Sequence, residues 1–160
     1  MRHTGAFVTA LLSLIWVATG CRSSDEEQAA TLCDEARALE QQDLRRSLEL
    51  RRKVWEEMPT AGTPSAKECG REVRVRMGTV RVLVATDETG SPEAIEGCAW
   101  TAVVMEVFDR ALIPPYRANW ARRLAERCVN VVGRAWTRKP DDQQLADLSA
   151  RLEKLSTEPE

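Results

Sequence analysis

Histidine is almost missing from this 160-residue chain, and the single one, His3, lies at the extreme N-terminus. Past residue 20 there is none. That absence excludes Ser-His-Asp and Cys-His catalysis, histidine metal ligation and imidazole pH switching from the body of the chain. The phosphate-cradling G-x-x-x-x-G-K, the S-x-x-K pair and the E-x-x-H pair are missing as well. Basic residues do not outnumber acidic ones, 23 against 25, which argues against nucleic acid as a partner. Aromatics make up only 5% of the residues. No apolar run reaches the roughly eighteen residues that a membrane span needs. The longest, Ala6 to Ala18, would extend about 20 Å as a helix, against a hydrocarbon core of about 30 Å.

What is present begins with that short run. Arg2 ahead of it and small residues after it form the three parts of a secretory leader, residues 1–20. Its end, Val17-Ala18-Thr19-Gly20-Cys21, resembles the lipobox of bacterial lipoproteins, with Ala18 where the family more often has Leu. The resemblance implies that Cys21 becomes the first mature residue, lipidated on its sulfur (the class to which palmitate belongs) and on its amino group. It also implies a membrane partner reached through that lipid. Arg22 in place of the retention-signal Asp points to the outer membrane, facing the periplasm, with the inner membrane and the cell surface as alternatives. Only Arg22, Ser23 and Ser24 separate the anchor from the first helix signal, a reach of about 10 Å. Residues 21–24 are thus a short tether and 25–155 a single domain, with 156–160 as a frayed tail.

The mature part, about 140 residues, is long enough for one domain with its own core. Cys33, Cys69, Cys98 and Cys128 form an even set at spacings that lack the close pairs of metal sites. In an exported domain they read as two disulfides, and no metal or other cofactor is expected.

Proline and cap signals cut the chain into about six helices. Ser24 and Glu27 form a capping box ahead of a stripe of Ala29, Leu32, Cys33, Ala36 and Leu39. Asp43 caps a helix carrying Leu44, Ser47, Leu48, Val54, Trp55 and Met58, stopped by Pro59. Thr63-Pro64 and Ser91-Pro92 start two more helices, Pro114-Pro115 divides the fourth from the fifth, and Asp141-Asp142 opens the last. Residues 72–86 fit two periods. Val73, Val75 and Met77 alternate as in a hairpin, whereas Cys69, Val73, Met77, Val80 and Val84 form a helical stripe; the neighbouring helices favour the helix. The class is all-α, with antiparallel hairpins in an array or bundle.

Cys98 and Cys128 are centred on the Pro114 turn, so a helical hairpin folded there brings them together, with Asp109 opposite Arg117. That leaves Cys33 for Cys69, which no simple hairpin explains. Residues 36–59, with small Ser47 and closing Pro59, resemble a degenerate tetratricopeptide repeat without the family's usual Trp, Gly and Tyr positions. The resemblance implies that the first helix of one unit lies beside the first helix of the next, about 34 residues on.

Charge alternates along the chain. Segments 41–84 and 114–140 are net basic, and the segments around them net acidic. Opposite signs on neighbouring helices pair in one reading. In the other, the cations Arg117, Arg122, Arg123, Arg127, Arg134, Arg138 and Lys139 offer an anion-binding face. Trp120 falls on a core stripe, whereas Trp100 lies off its helix's stripe and lines either a groove or a second packing layer. Trp100, Arg122, Arg123 and Arg127 are the candidate partner surface. Glu106, the one acid in an apolar run, reads as an ion pair with an arginine of the following helix or as a side chain reaching solvent. No catalytic residue is assigned. The expected function is a lipid-anchored binding or assembly module for an envelope protein partner, similar to pilotins or repeat-type accessory subunits. An envelope glycan hydrolase using carboxylates alone and a purely structural lipoprotein are the alternatives.

Overall fold

The computed structural model describes residues 24–57, 62–108 and 118–157, and these form six helices with no strand among them. Helix α1 covers 24–39, α2 Leu44–Arg52, α3 Pro64–Thr86, α4 Pro92–Val107, α5 Ala118–Arg138 and α6 Gln143–Thr157. Cys21, Met58, Pro59, Asp109, Arg117 and the Pro114-Pro115 turn lie outside the described residues.

Four helices start where side chains satisfy otherwise orphaned amides. Asp43 accepts from the Arg46 amide at 3.0 Å, Thr63 from Ala66 at 3.4 Å and Ser91 from Ala94 at 3.2 Å. Pro64 and Pro92 occupy first positions, where their missing N–H costs nothing. Asp142 accepts from Gln144 and Leu145, opening α6. Ser24 differs from expectation. It is already helical, so the start of α1 is not a cap at Ser24. Of the expected frayed tail, Ser156 and Thr157 belong to α6, their hydroxyls donating to the Glu153 carbonyl, and 158–160 lie outside the described residues.

Residues 72–86 are one helix. The buried residues of α3 are the helical stripe Cys69, Val73, Met77, Val80 and Val84, with Ala66 and Gly70, while Val75 of the alternating pattern faces water. Helix α2 passes into a π-helical turn, Lys53–Glu57. There the Trp55 ring lies against Gly70 so closely that a Cβ would sit 3.1 Å from it, and a larger residue would require the ring to shift by a few tenths of an ångström.

Helix α4 is the centre, packing against α2, α3, α5 and α6. Its buried residues, among them Ala94, Cys98, Trp100, Thr101, Val104 and Val107, go all round the helix, as a helix enclosed by neighbours requires. Both disulfides join the expected partners, with Cα atoms 5.3 Å apart for Cys98–Cys128 and 5.9 Å for Cys33–Cys69. The first closes an antiparallel α4–α5 pair. At its other end the Arg134 guanidinium donates to the Asp87 carbonyl at 2.7 Å.

The second disulfide belongs to a parallel pair. Contacts of α1 and the turn after it with α3 step in one direction, Glu26 to Ser65, Cys33 to Cys69, Arg37 to Glu72 and, from the turn, Glu40 to Arg76, at separations of 39, 36, 35 and 36 residues. Parallel packing explains why a simple hairpin could not pair these cysteines.

Candidate functional site

The stripe that sends α3 into the core leaves its neighbours Arg81, Val82 and Ala85 facing the start of α5. On α5, Leu124 and Cys128 point inward, so Arg123 and Arg127, one turn apart, flank them. Together with Thr86 and half-buried Trp120 these residues line a groove of about 470 Å³. Its floor is apolar and its walls carry three guanidiniums. Among the described residues no carboxylate lies within ion-pair distance of Arg81, Arg123 or Arg127, and the groove lining includes no acid.

That lack of partners is unusual in this molecule. Arg45 and Arg151 both hold Glu106, Arg151 at 2.9 Å. Glu106 is therefore an ion pair as expected, but with α2 and α6 rather than with the following helix, because the chain folds both against α4. Arg37, Arg51 and Arg76 engage Glu40 and Glu72, with Arg51–Glu40 at 3.0 Å and Arg37–Glu72 at 2.6 Å. Arg51 is only 3% exposed.

The predicted partner surface is thus partly assembled and partly not. Arg123 and Arg127 share the groove. Arg122 points along α5 to Glu126 at 3.8 Å and is not in the lining. Trp100 needs correction as a surface residue. It is 3% exposed, on the far side of the core, with the Arg76 guanidinium 4.8 Å from its ring centroid. The reason is the central place of α4: Trp100 lies on a side of the helix enclosed by its neighbours, whereas the open side carries Glu96. Trp100 lines a separate cleft of about 260 Å³ under the Arg51 network. Arg134 and Arg138 reach backbone carbonyls of the α3–α4 turn. Arg81 was missed by sequence reasoning, although its position beside exposed Val82, off the buried stripe, was a legible signal.

The acids with shifted pKa values all move downward, toward the ionised form. Burial acts to raise Glu72, but hydrogen bonds from Arg37 and Arg51 outweigh it. Glu26 is lowered by the Ser65 and Thr63 hydroxyls and Glu68 by Arg71. Asp87 is held well below the usual carboxylate range by Ser91 and, against some burial, by the amides of Ser91, Gly90 and Thr89. A general acid needs the opposite shift. Among the described residues no group of three or more His, Cys, Asp or Glu side chains is arranged to hold a metal ion, and no helix is long and apolar enough to cross a membrane. The arrangement is suited to holding an anionic, partly apolar ligand. The chain matches no known family model, no curated protein and no solved structure.

Proposed function

We propose that this protein is a lipid-anchored binding or assembly module of a bacterial envelope, tethered through Cys21 to the outer membrane on its periplasmic side and working by contact rather than catalysis. One observation carries the binding role. In a molecule whose described arginines are mostly engaged by carboxylates, three converge on an apolar-floored groove with no carboxylate partner among the described residues. Holding like charges together is unfavourable unless something of opposite sign relieves it. Trp120 and Leu124 add the apolar surface by which such grooves take amphipathic segments. The leader ending in Gly20-Cys21 supports the anchor, and the two disulfides suit an oxidising compartment.

The test is chemical crosslinking and pull-down of the lipoprotein from native envelopes at near-native expression, with Cys21→Ala as control. A partner recovered with the lipidated form and lost with Cys21→Ala is the expected result. Recovery of no partner counts against the assembly role. Unmodified Cys21 in mass spectra of the mature protein would remove the anchor.

A further inference from the structure

The face of α3 outside the core carries a second feature, continuous with the groove. Val75, Thr79, Val82 and Thr86 recur at helical spacing and all are exposed, Val75 at 56% and Val82 at 59%. Thr79 donates to the Val75 carbonyl and Thr86 to the Val82 carbonyl, each at 3.1 Å, so both hydroxyl protons are used within the helix. Val75 and Val82 are also two of only three large apolar side chains left exposed among the described residues. The stripe runs about 16 Å, roughly three helical turns. Arg81 borders it, and Arg123 and Arg127 face it across the groove.

Position along α3 bears on what fills this surface. Ser65, at the start of α3, holds Glu26 near the start of α1. From Ser65 to Arg81 is about 24 Å along the helix axis. With the anchor ahead of α1, the groove lies at the end of α3 remote from the lipid, well beyond a Debye length of about 8 Å from the anchored end. Lipid headgroups are poorly placed to neutralise its arginines.

Resting on the binding-module reading, the geometry points to an acidic amphipathic helix of a periplasmic partner, about three turns long, as the occupant. It lies along α3. Its apolar side covers the Val75–Val82 stripe and Trp120, and its carboxylates meet Arg81, Arg123 and Arg127. The helix form follows from the length and straightness of the stripe. The acidic character follows from charge complementarity.

The test places a photo-crosslinking amino acid at Val82 of the full-length lipoprotein in its own envelope and sequences the crosslinked peptide. The expected adduct is a segment with apolar residues at helical spacing and acids along their flank. Its yield falls at least about tenfold in R123E/R127E, both exposed positions that leave the helical circular dichroism unchanged. A lipid adduct, a basic or uncharged peptide, or a yield indifferent to the charge reversal overturns the proposal. If no adduct forms at Val82 while crosslinking elsewhere on the surface still recovers a partner, this occupant is wrong and the binding-module reading stands. If neither yields a partner, both fall.

Discussion

Replacing Arg51 with Met should cost about 2–3 kcal/mol of stability. Arg51 reaches from α2 to Glu40 and Glu72, and its side chain is 4% exposed. Removing one member of a buried ion pair typically costs about 3–5 kcal/mol, because a charge is left without its partner. Here the penalty is reduced at two points. Glu40 keeps Arg76 and Glu72 keeps Arg37, although those arginines are 39% and 42% exposed and such pairs are worth at most about 1 kcal/mol each. Methionine fills the vacated volume, so little packing is lost. For a domain of this size the expected fall in Tm is about 6–9 °C, read by circular dichroism with both disulfides oxidised. Adding Glu40→Gln and Glu72→Gln to Arg51→Met should restore most of the loss, since no carboxylate is then left without Arg51, while the half-exposed Arg37 and Arg76 stay charged and keep Asp34 and Glu96. A single variant within about 0.5 kcal/mol of the parent, or a triple variant less stable than the single, would refute the view that charge left unpaired under burial sets the cost.

Among the described residues Gly90 carries the one positive φ, +69°, and a Cβ there would sit 2.7 Å from the Val131 carbonyl oxygen. Gly90→Ala should therefore cost about 2–3 kcal/mol in urea unfolding, part from the left-handed backbone and part from displacing α5; a cost near zero would mean the turn is free to shift. Asp87 titrates below its unfolded value near pH 4, so its contribution is complete above that value and is lost as pH falls through the folded value. Asp87→Ala should be destabilised at neutral pH, with a gap in Tm that closes toward pH 2; a constant gap would show that charge is not the cause. Removing the Cys98–Cys128 bond with alanines should cost roughly 3.5–4 kcal/mol, the chain-entropy value for its loop, as a lower urea midpoint. An unchanged midpoint would mean the α4–α5 pair is held by packing alone.

The readable parts of the sequence were those in which one local rule decides the outcome. Thr63-Pro64 and Ser91-Pro92 mark helix starts because cap and proline effects act within four residues. The Cys98–Cys128 bond followed from symmetry about a turn. Residues 72–86 were ambiguous because β-branched valines satisfy both periods, and only packing chooses; Val73, Met77, Val80 and Val84 of the helical stripe found partners in the main core, and Cys69 in the smaller one. Trp100 was left open between a groove and a second packing layer, and wrongly placed on the partner surface, because its burial depends on how many helices surround α4, a property of the whole fold. The groove was half legible. Arg123 and Arg127 stand out in a basic run, but Arg81 joins them only through the packing of α3 on α5. Arg51 was missed despite a usable sign, since it falls one turn after Ser47 on the buried side of α2, where Ser47 donates to the Ala36 carbonyl at 2.7 Å.

Helix α3 joins the two ends of the proposed activity. One end is fastened to α1 by Glu26–Ser65, Cys33–Cys69 and the Arg51 network, and the other forms a wall of the groove. Under the proposed lipidation of Cys21, a tether of about 10 Å would let this fastening hold the groove within one domain's height of the membrane. Inserting twenty Gly/Ser residues between Ser23 and Ser24 would leave the groove intact but give the tether a mean span of about 25 Å. For a partner embedded in the same membrane, effective concentration then falls, and capture by crosslinking should fall several-fold while the Tm of the domain stays unchanged. Full capture with the long tether would show that the groove alone selects the partner and that the closeness of Cys21 to α1 has no mechanical part.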